Sequence, residues 1–242
     1  MKRGLDLSLI LPCYNEAGLF TSSVARIQSV LEASKLSHEV IFVDDASSDG
    51  TQKFIKDTCK TTGIFRYRAV FHAVNRGRGR TVSDGIRAAK GKIVGYMDID
   101  CEVDPIYMPK LVSLVLSGEA DVVIGKRYYR TSPRAALREI LSRGYQWLSD
   151  KMIGTGGLDT ETGYKFFSRK KILPVLSKAR NPGWFWDTEI MVYARRAGLR
   201  IKEEPVLFLR RFDKHSSVNI IRDTTDYLVN LWKLRSQLGR RT

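Results

Sequence analysis

Residues 95–102 read Gly-Tyr-Met-Asp-Ile-Asp-Cys-Glu, and this stretch decides how the rest of the sequence is interpreted. The apolar run Ile93–Met97 predicts a buried strand that ends where the carboxylates begin. Alternate residues of an extended chain point to the same side, so Asp98, Asp100 and Glu102 can converge on one cation. Mg²⁺ and Mn²⁺ take oxygen ligands of this kind and often link carboxylates to substrate phosphates. A solvated acidic turn that caps the following helix is the alternative, and this stretch alone leaves both open.

Apolar strand-like segments alternate with segments of helical periodicity from Leu5 to Gly125. This order predicts an α/β fold with a mainly parallel sheet flanked by helices. Polar residues follow each of three predicted strands, Leu7–Leu11, Val40–Val43 and Ile93–Met97. Each polar group taken singly is a common turn or cap. Because parallel sheets bind ligands at the carboxyl ends of their strands, the three groups together predict one shared site.

The pattern changes after Gly125. Residues Pro133–Ile153 predict a long amphipathic helix, and Asn219–Leu238 predict a basic amphipathic helix. We therefore divide the chain into a main domain, residues 1–218, and a C-terminal helix, residues 219–242. The apolar stripe of that helix includes Tyr227, Leu231, Leu234 and Leu238. Two uses of the stripe stay open, which are contact with a membrane surface and packing on the main domain.

Composition narrows the class of partner without choosing one. The 242 residues carry 41 Lys and Arg against 26 Asp and Glu, a formal net charge of +15, and 43% of them are hydrophobic. A soluble globular protein with this excess is expected to meet a polyanion, whether nucleotide phosphates, an anionic membrane surface or a nucleic acid. No apolar run approaches the ~20 residues of a membrane span. Cys13, Cys59 and Cys101 lack the spacing of a zinc site or a disulfide framework.

The segment 75–80, Asn-Arg-Gly-Arg-Gly-Arg, has two competing interpretations. It lacks the third glycine of a dinucleotide-binding loop and does not follow the first strand. It also lacks aromatic residues between its arginines, which the stacking of RNA bases would need. We expect a glycine loop that turns Arg78 toward a bound nucleotide.

A set of short motifs is spread over about residues 7–220. The motifs are Pro12-x-Tyr14-Asn15-Glu16, Asp44-Asp45, Ser48-Asp49-Gly50-Thr51, Asn75-x-Gly77, Asp98-x-Asp100, Gly125-Lys126-Arg127, Asp159-Thr160-x-x-Gly163-x-Lys165-x-Phe167 and Phe185-x-Asp187-x-Glu189. Together they resemble the inverting glycosyltransferases of the GT-A fold. Within these, the chain is similar to the polyprenyl-phosphate branch, the dolichyl-phosphate mannose and glucose synthases.

The resemblance implies a GT-A fold in which a nucleotide sugar and a divalent metal, Mg²⁺ or Mn²⁺, meet at the strand ends. The donor-binding residues that it implies are Pro12, Tyr14, Glu16, Asp44, Asp45, Arg78 and Asp98. The metal-associated residues are Asp98, Asp100 and Glu102. Relatives often carry glutamine at the third metal position. A glutamate there can bind the metal more tightly or form a salt bridge with an arginine.

The catalytic set implied by the resemblance is Asp100, Arg127, Arg143 and Asp187. The two arginines would each meet a phosphate, one of the donor and one of the acceptor, because forked guanidinium groups suit phosphates that would otherwise repel one another. A phosphate monoester is largely ionised near neutrality, its second pKa being about 6, so its attack needs no strong general base. A hydroxyl acceptor would need one, and Asp187 and Glu189 are the candidates.

We therefore predict a metal-dependent hexosyltransferase that moves mannose or glucose from a GDP- or UDP-sugar to a polyprenyl (dolichyl-type) phosphate. We expect it on the cytoplasmic face of a membrane, as a peripheral protein with or without a membrane-anchored partner subunit, and not on nucleic acid. Two alternatives stay open. One keeps the fold and donor but uses a hydroxyl acceptor on a glycan or another soluble molecule, and the other is a non-catalytic nucleotide- or RNA-binding module.

Overall fold

A seven-stranded mixed sheet forms the centre of the molecule. The computed structural model describes residues 4–60, 66–129, 144–211 and 220–239. The helices and strands in chain order are β1 (Leu7–Cys13), α1 (Ala17–Ser34), β2 (His38–Asp44), α2 (Thr51–Lys60), β3 (Tyr67–Phe71), α3 (Arg78–Ala88), β4 (Ile93–Met97), a 3₁₀ turn (Pro105–Tyr107), α4 (Met108–Leu116), β5 (Val122–Tyr129), α5 (144–153), β6 (Tyr164–Ser168), α6 (Arg169–Leu176), α7 (Trp186–Arg196), β7 (Ile201–Phe208) and α8 (Ile220–Gly239).

The sheet has the strand order β3-β2-β1-β4-β6-β5-β7. β1 pairs in parallel with β2 and β4, β2 with β3, and β5 with β7. β6 runs antiparallel between β4 and β5. The predicted α/β fold with a mainly parallel sheet flanked by helices is therefore confirmed, with one antiparallel strand near its middle that the sequence analysis did not predict.

Two apolar layers cover the two faces of the sheet, because successive residues of a strand point to opposite sides. On β1, Leu7, Leu9 and Leu11 belong to the core that contains α1 and α4. Ile10 belongs to the opposite core, which contains α3, α7 and α8. The carboxyl ends of β1, β2 and β4 therefore lie at one edge of a sheet that is buried on both faces.

The predicted strand Ile93–Met97 is found with the same bounds, as β4. β1, in contrast, does not end at Leu11 but continues through Pro12 to Cys13. Proline lacks an N–H and is tolerated where a strand has one neighbour. That condition holds here, because β4 pairs with β1 only as far as Ile10, while Pro12 lies opposite Val43 of β2.

The helix predicted over Pro133–Ile153 is helical in its described part, residues 144–153, and the remainder lies outside the described residues. Its Tyr145 ring meets the Tyr227 ring of α8 edge to face, with ring centroids 5.1 Å apart. The α8 residues Leu231, Leu234 and Leu238 are buried in the core. The predicted stripe is therefore the packed face of α8. Among the described helices, none is long and apolar enough to cross a bilayer.

Gly95 offers a test of how tightly β4 and β6 approach. A Cβ atom at Gly95 would overlap the ring of Phe166 on β6. We expect Gly95→Ala to lower the free energy of unfolding by about 1–3 kcal/mol, the usual cost of overpacking a core. Urea denaturation measures this loss.

A second glycine supplies the matched control. Gly18 lies in α1, and a Cβ atom there would meet nothing within 4 Å. Gly18→Ala should therefore raise stability by about 0.5–1 kcal/mol through helix propensity. Equal effects of the two substitutions would contradict the tight approach of Gly95 to Phe166.

Candidate active site

Hydrogen bonds hold together the loops that follow β1 and β2. The backbone N–H of Asn15 donates to Ser47 Oγ (2.9 Å), and that of Glu16 donates to Thr51 Oγ1 (2.8 Å). Asn15 adopts a left-handed conformation (φ 56°), in which asparagine is enriched. The chain that follows Tyr14 is thereby held in place, and the Tyr14 ring is left 47% exposed, where a planar ligand can stack on it.

The adjacent acids Asp44 and Asp45 have different partners. Asp45 is buried and accepts the backbone N–H groups of Arg76 and Gly77, each at 2.8 Å. Its Oδ1 also lies 2.6 Å from Nδ1 of His72. Asp45 therefore shapes the glycine loop that leads into α3, and its contact with a donor stays a prediction.

Asp44 has one carboxylate oxygen with an open position. Its Oδ2 accepts Ser47 N–H (3.1 Å) and Gln52 Nε2 (2.8 Å). Its Oδ1 is buried and has no hydrogen-bond partner among the described residues. A buried acceptor without a donor is costly. The end of β2 is therefore suited to a ligand that brings a donor, such as a ribose hydroxyl or a base N–H.

Arg78, the first residue of α3, connects two acids across the strand ends. Its Nη2 donates to Asp98 Oδ1 at 2.7 Å, and its Nη1 forms an ion pair with Asp187 Oδ2. The guanidinium lies over the indole ring of Trp184, 4.7 Å from the ring centroid. Burial alone would lower the pKa of Arg78, but the carboxylates of Asp187 and Asp98 raise it above its usual value. Arg78 is therefore a permanently charged link between α3, the end of β4 and α7.

Asp187 is 1% exposed and accepts hydrogen bonds from three side chains. They are Arg78, the hydroxyl of Tyr96 and Nζ of Lys165, the last at 2.7 Å. Lys165 is fully buried in β6, and burial lowers its pKa while the Asp187 carboxylate opposes that shift. Asp187 thus serves as the common acceptor of a buried cluster.

Asp98, Asp100 and Glu102 lie in one tight turn. Cys101 has a left-handed conformation (φ 55°), and its N–H donates to Asp98 O at 3.3 Å. Asp100 Oδ1 accepts the N–H of Glu102 at 3.2 Å. A Cβ atom on Gly163 would overlap the Asp98 carboxylate, so a larger residue there would displace that carboxylate from its present position. The three predicted metal-associated residues therefore belong to one turn at the end of β4.

The donor chemistry of Asp98 and Asp100 fits a hard divalent cation. Burial and the like charge of Asp100 raise the pKa of Asp98, although Arg78 opposes the shift, and a bound cation would relieve that repulsion. Glu102 is engaged elsewhere, because its Oε1 accepts the N–H of Arg211 at 3.0 Å. Within the described ranges, no group of three or more His, Cys, Asp or Glu side chains is placed to hold a metal by itself. A metal at this turn would need ligands from substrate or water.

Arg127 forms a second buried ion pair. Its Nε and Nη2 donate to the two carboxylate oxygens of Asp159, at 2.9 and 2.7 Å, and its backbone N–H donates to the same residue at 3.0 Å. Glu161 lies 3.5 Å from Nη2. Burial opposes the shift, but Arg127 lowers the pKa of Asp159. The predicted phosphate contact of Arg127 stays a prediction, and Arg143 lies outside the described residues.

The structure thus brings Arg78, Asp98 and Asp187 into one network and keeps Arg127 in a separate pair. Glu189 is buried and accepts the N–H of Asn181 at 2.7 Å. Sequence reasoning assigned no role to four residues of these networks, which are Tyr96, Asp159, Lys165 and Trp184, although Asp159 and Lys165 belong to one of the quoted motifs. One signal in the sequence could have found this network. Lys165 stands between Tyr164 and the phenylalanines at 166 and 167, and a lysine that is buried in such an aromatic run needs an acidic partner.

The arrangement of strands and loops is that of the GT-A glycosyltransferases. The chain superimposes on glucosyl-3-phosphoglycerate synthase from Mycobacterium tuberculosis, solved with Mn²⁺, UDP-glucose and phosphoglyceric acid, with a TM-score of 0.71 at 22% identity, over 96% of this chain and 80% of that one. The sequence profile of glycosyl transferase family 2 matches residues 8–173. The chain therefore belongs to glycosyl transferase family 2.

Three curated relatives extend this similarity. The chain is 31% identical to glycosyltransferase AglD of Haloferax volcanii over 98% of its own length but only 39% of that protein. It is 28% identical to the dolichyl-phosphate β-glucosyltransferases of Dictyostelium discoideum and Saccharomyces cerevisiae, of which it spans 77% and 66%. Those two similarities cover 95% and 83% of this chain. The chain thus spans about two fifths of AglD, about three quarters of the Dictyostelium protein and about two thirds of the Saccharomyces protein.

The Arg127–Asp159 pair predicts a loss of stability that depends on pH. Asp159→Asn removes the bidentate partner of Arg127, whose side chain is 13% exposed, and leaves it only the more distant carboxylate of Glu161 at 3.5 Å. We expect the free energy of unfolding near neutral pH to fall by about 3 kcal/mol. Because the pKa of Asp159 is lowered in the folded state, its contribution is present above the unfolded pKa of about 3.9 and is lost as the pH falls through the folded value.

Urea unfolding at pH 7, 5 and 3.5 checks this expectation, since the difference between the wild type and Asp159→Asn should narrow in the most acidic buffer. Asp57→Asn is the matched control, because Asp57 pairs with Lys60 on the surface. Its effect should stay within about 0.5 kcal/mol. A difference that is the same at all three pH values would contradict the shifted pKa.

Proposed function

We propose that the protein is a metal-dependent inverting glycosyltransferase that transfers a hexose from a nucleotide sugar to a polyprenyl phosphate. Its membership of family 2 supports sugar transfer. Two relatives named dolichyl-phosphate β-glucosyltransferase support a lipid phosphate acceptor and make glucose the first sugar to test. The donor is a UDP- or GDP-hexose, and the cation is Mg²⁺ or Mn²⁺.

The observation that carries the choice of acceptor is the saturation of Asp187. A hydroxyl acceptor needs a base that can reach its proton, and Asp187 and Glu189 were the candidates. Asp187 is occupied by Arg78, Lys165 and Tyr96, and Glu189 by a backbone N–H. A phosphate acceptor needs no such base, because it is largely ionised near neutral pH.

The residues of the site fit distinct parts of the donor. Asp44 offers its buried oxygen to the nucleoside, and Tyr14 offers an exposed ring. Pro12 at the end of β1 and Glu16 at the start of α1 stand on either side of Tyr14 in the chain, and both would contact the nucleoside. Asp98 and Asp100 would hold a divalent metal, which supplies positive charge to the leaving diphosphate. The acceptor phosphate then attacks the anomeric carbon from the opposite face, with inversion.

Glu161 keeps the hydroxyl-acceptor alternative within reach of experiment. Burial raises the pKa of its carboxyl, and it lies beside the Arg127 guanidinium. A carboxylate with a raised pKa is a better proton acceptor than an ordinary one. Transfer to a hydroxyl would therefore point to Glu161 and not to Asp187.

Peripheral attachment to the cytoplasmic face of a membrane, alone or through a membrane-anchored subunit, is part of the proposal. The packed face of α8 leaves its other side exposed, where Leu228, Val229 and Trp232 lie, Trp232 being 65% exposed. Lys233 and Arg235 are exposed on the same helix. Tryptophan and basic residues are the side chains that favour the interface of an anionic bilayer.

An acceptor panel tests the proposal. Purified protein is assayed with UDP-glucose, GDP-mannose and related donors, against a short-chain polyprenyl phosphate and the matching free polyprenol. We expect transfer to the phosphate at a rate at least about 100-fold above that to the alcohol, since Asp187 and Glu189 are both occupied and do not serve as a base for the alcohol. Preferential transfer to the alcohol, or to a soluble glycan, would refute the proposed acceptor.

The metal assignment predicts that Asp100→Asn reduces transfer on the order of 100-fold or more, because loss of a ligand removes several kcal/mol of charge stabilisation. Chelation of the unmutated protein should have the same effect. Asp104→Asn is the control, because Asp104 pairs with Arg26 on the surface. Full turnover by folded Asp100→Asn protein would end the assignment.

The membrane proposal predicts that Trp232→Ser weakens co-sedimentation with vesicles that contain anionic lipid. Added salt should weaken binding of the wild type, since each basic residue contributes about 1 kcal/mol near an anionic surface. Leu116→Ser, at the end of α4, removes an exposed apolar side chain from another helix and serves as the control. If Trp232→Ser and Leu116→Ser bind alike, α8 does not contact the bilayer.

A further inference from the structure

A cleft of about 260 Å³ lies between α3 and the segment that connects α6 to α7. Three arginines line it, Arg80 and Arg87 from α3 and Arg180 from the connecting segment, together with Ser83, Ser177 and Asn181. Arg80, Ser83 and Arg87 recur at helical spacing, so they share one face of α3. Arg78 extends from another face of the same helix, where it contacts Asp98 and Asp187. The cleft is therefore separate from the candidate active site.

The cleft carries more positive charge than its acids neutralise. Arg80 and Arg87 pair with Asp84 at 3.1 and 2.9 Å, and Arg76 also lies 3.3 Å from this one carboxylate. The side chains of Arg80 and Arg87 are 43% and 44% exposed, so both remain accessible to a ligand. On the opposite wall, Nε of Arg180 donates to Ser177 O at 3.3 Å, which holds that guanidinium at the rim.

We propose that this cleft is a binding site for a phosphate or diphosphate group. Guanidinium groups bind phosphate oxygens through paired N–H donors. Three arginines line the cleft, and two carboxylates lie beside them, Asp84 next to Arg80 and Arg87 and Glu189 next to Arg180, so positive charge is left for a polyanion. The volume falls below the roughly 300–1,000 Å³ of pockets for drug-sized ligands, which favours a small charged group. The group is either a free inorganic or metabolite phosphate or the headgroup of an anionic phospholipid. This site is independent of the proposed transfer reaction.

A bound phosphate would join two segments that meet behind the active site. The N–H groups of Gly79 and Arg80 donate to Pro182 O at 2.7 and 3.2 Å. The same loop, residues 181–184, includes Trp184, whose ring lies against the Arg78 guanidinium. An anion that contacts Arg80 and Arg180 together would tie this loop to α3, so we infer that binding rigidifies the loop beneath Trp184.

Isothermal titration with inorganic pyrophosphate, in chloride buffer with chelator, tests the site without help from a divalent metal. We expect wild-type binding, and Arg180→Gln should raise the Kd at least tenfold. Arg196→Gln is the matched control, because Arg196 is exposed at the end of α7 and outside the cleft. At a hundredfold excess of ligand over Kd, the wild-type melting temperature should rise on the order of 5–10 °C.

A second pair of variants tests the positive charge of the cleft without removing an arginine. Ser177 is exposed at the rim, so Ser177→Asp should abolish pyrophosphate binding while Ser177→Asn retains it. Vesicles of phosphatidic acid in phosphatidylcholine form a parallel arm. Binding that depends on Arg180 and Ser177 supports the site in either arm. The arm in which it occurs shows whether the phosphate group is free or belongs to a phospholipid. Equal behaviour of Arg180→Gln and Arg196→Gln in both arms, or no binding by the wild type, overturns it.

Discussion

The compensation of two buried cations by the carboxylate of Asp187 is the interaction on which the architecture of the site depends. Lys165 is fully buried and the Arg78 side chain is 10% exposed, so neither charge has enough water around it to be stable alone. Asp187 meets both and accepts the Tyr96 hydroxyl as well. Because these residues come from α3, β4, β6 and α7, one acid joins four elements. Removal of that acid would leave the buried Lys165 without its ion-pair partner and Arg78 with Asp98 alone, which is the costly way to break such a cluster.

Close backbone contacts make this cluster geometrically feasible. A Cβ atom on Gly79 would lie 2.6 Å from Asn181 O and 2.8 Å from Gly183 O, so α3 can approach the loop before α7 only with glycine there. Gly163 plays the same part beside the Asp98 carboxylate. Glycine at these two positions allows neighbouring atoms to come close, and its conformational freedom is not used, since neither residue has a left-handed backbone. The segment 75–80 thus differs from a dinucleotide loop, because Gly79 makes room for protein backbone.

The parts of the fold that the sequence predicted are those with local signals. Ile93–Met97 is a continuous apolar run followed by acids, and it forms β4 with those bounds. β6 escaped prediction because Lys165 interrupts its apolar pattern, and only the distant Asp187 makes a buried lysine tolerable. The pairing of Arg127 with Asp159 was equally invisible, because 32 residues separate them and no periodicity connects them. The stripe on α8 was recognised, but periodicity does not say which surface a stripe contacts.

The partners of the site cations also bear on how phosphates could be neutralised. Arg78 pairs with both Asp98 and Asp187, Lys165 pairs with Asp187, and Arg127 pairs with Asp159. Their charge is therefore largely compensated before any substrate arrives. A donor diphosphate that approaches Asp98 and Asp100 would meet like charge at the end of β4, and such repulsion is relieved most directly by a divalent cation between them.

The pairing of these buried acids with cations also explains why the proposed reaction suits an acceptor that arrives already ionised. The buried acids of the Asp187 and Asp159 clusters are needed as counterions, and an acid that gave up this role to take a proton would leave a buried cation behind.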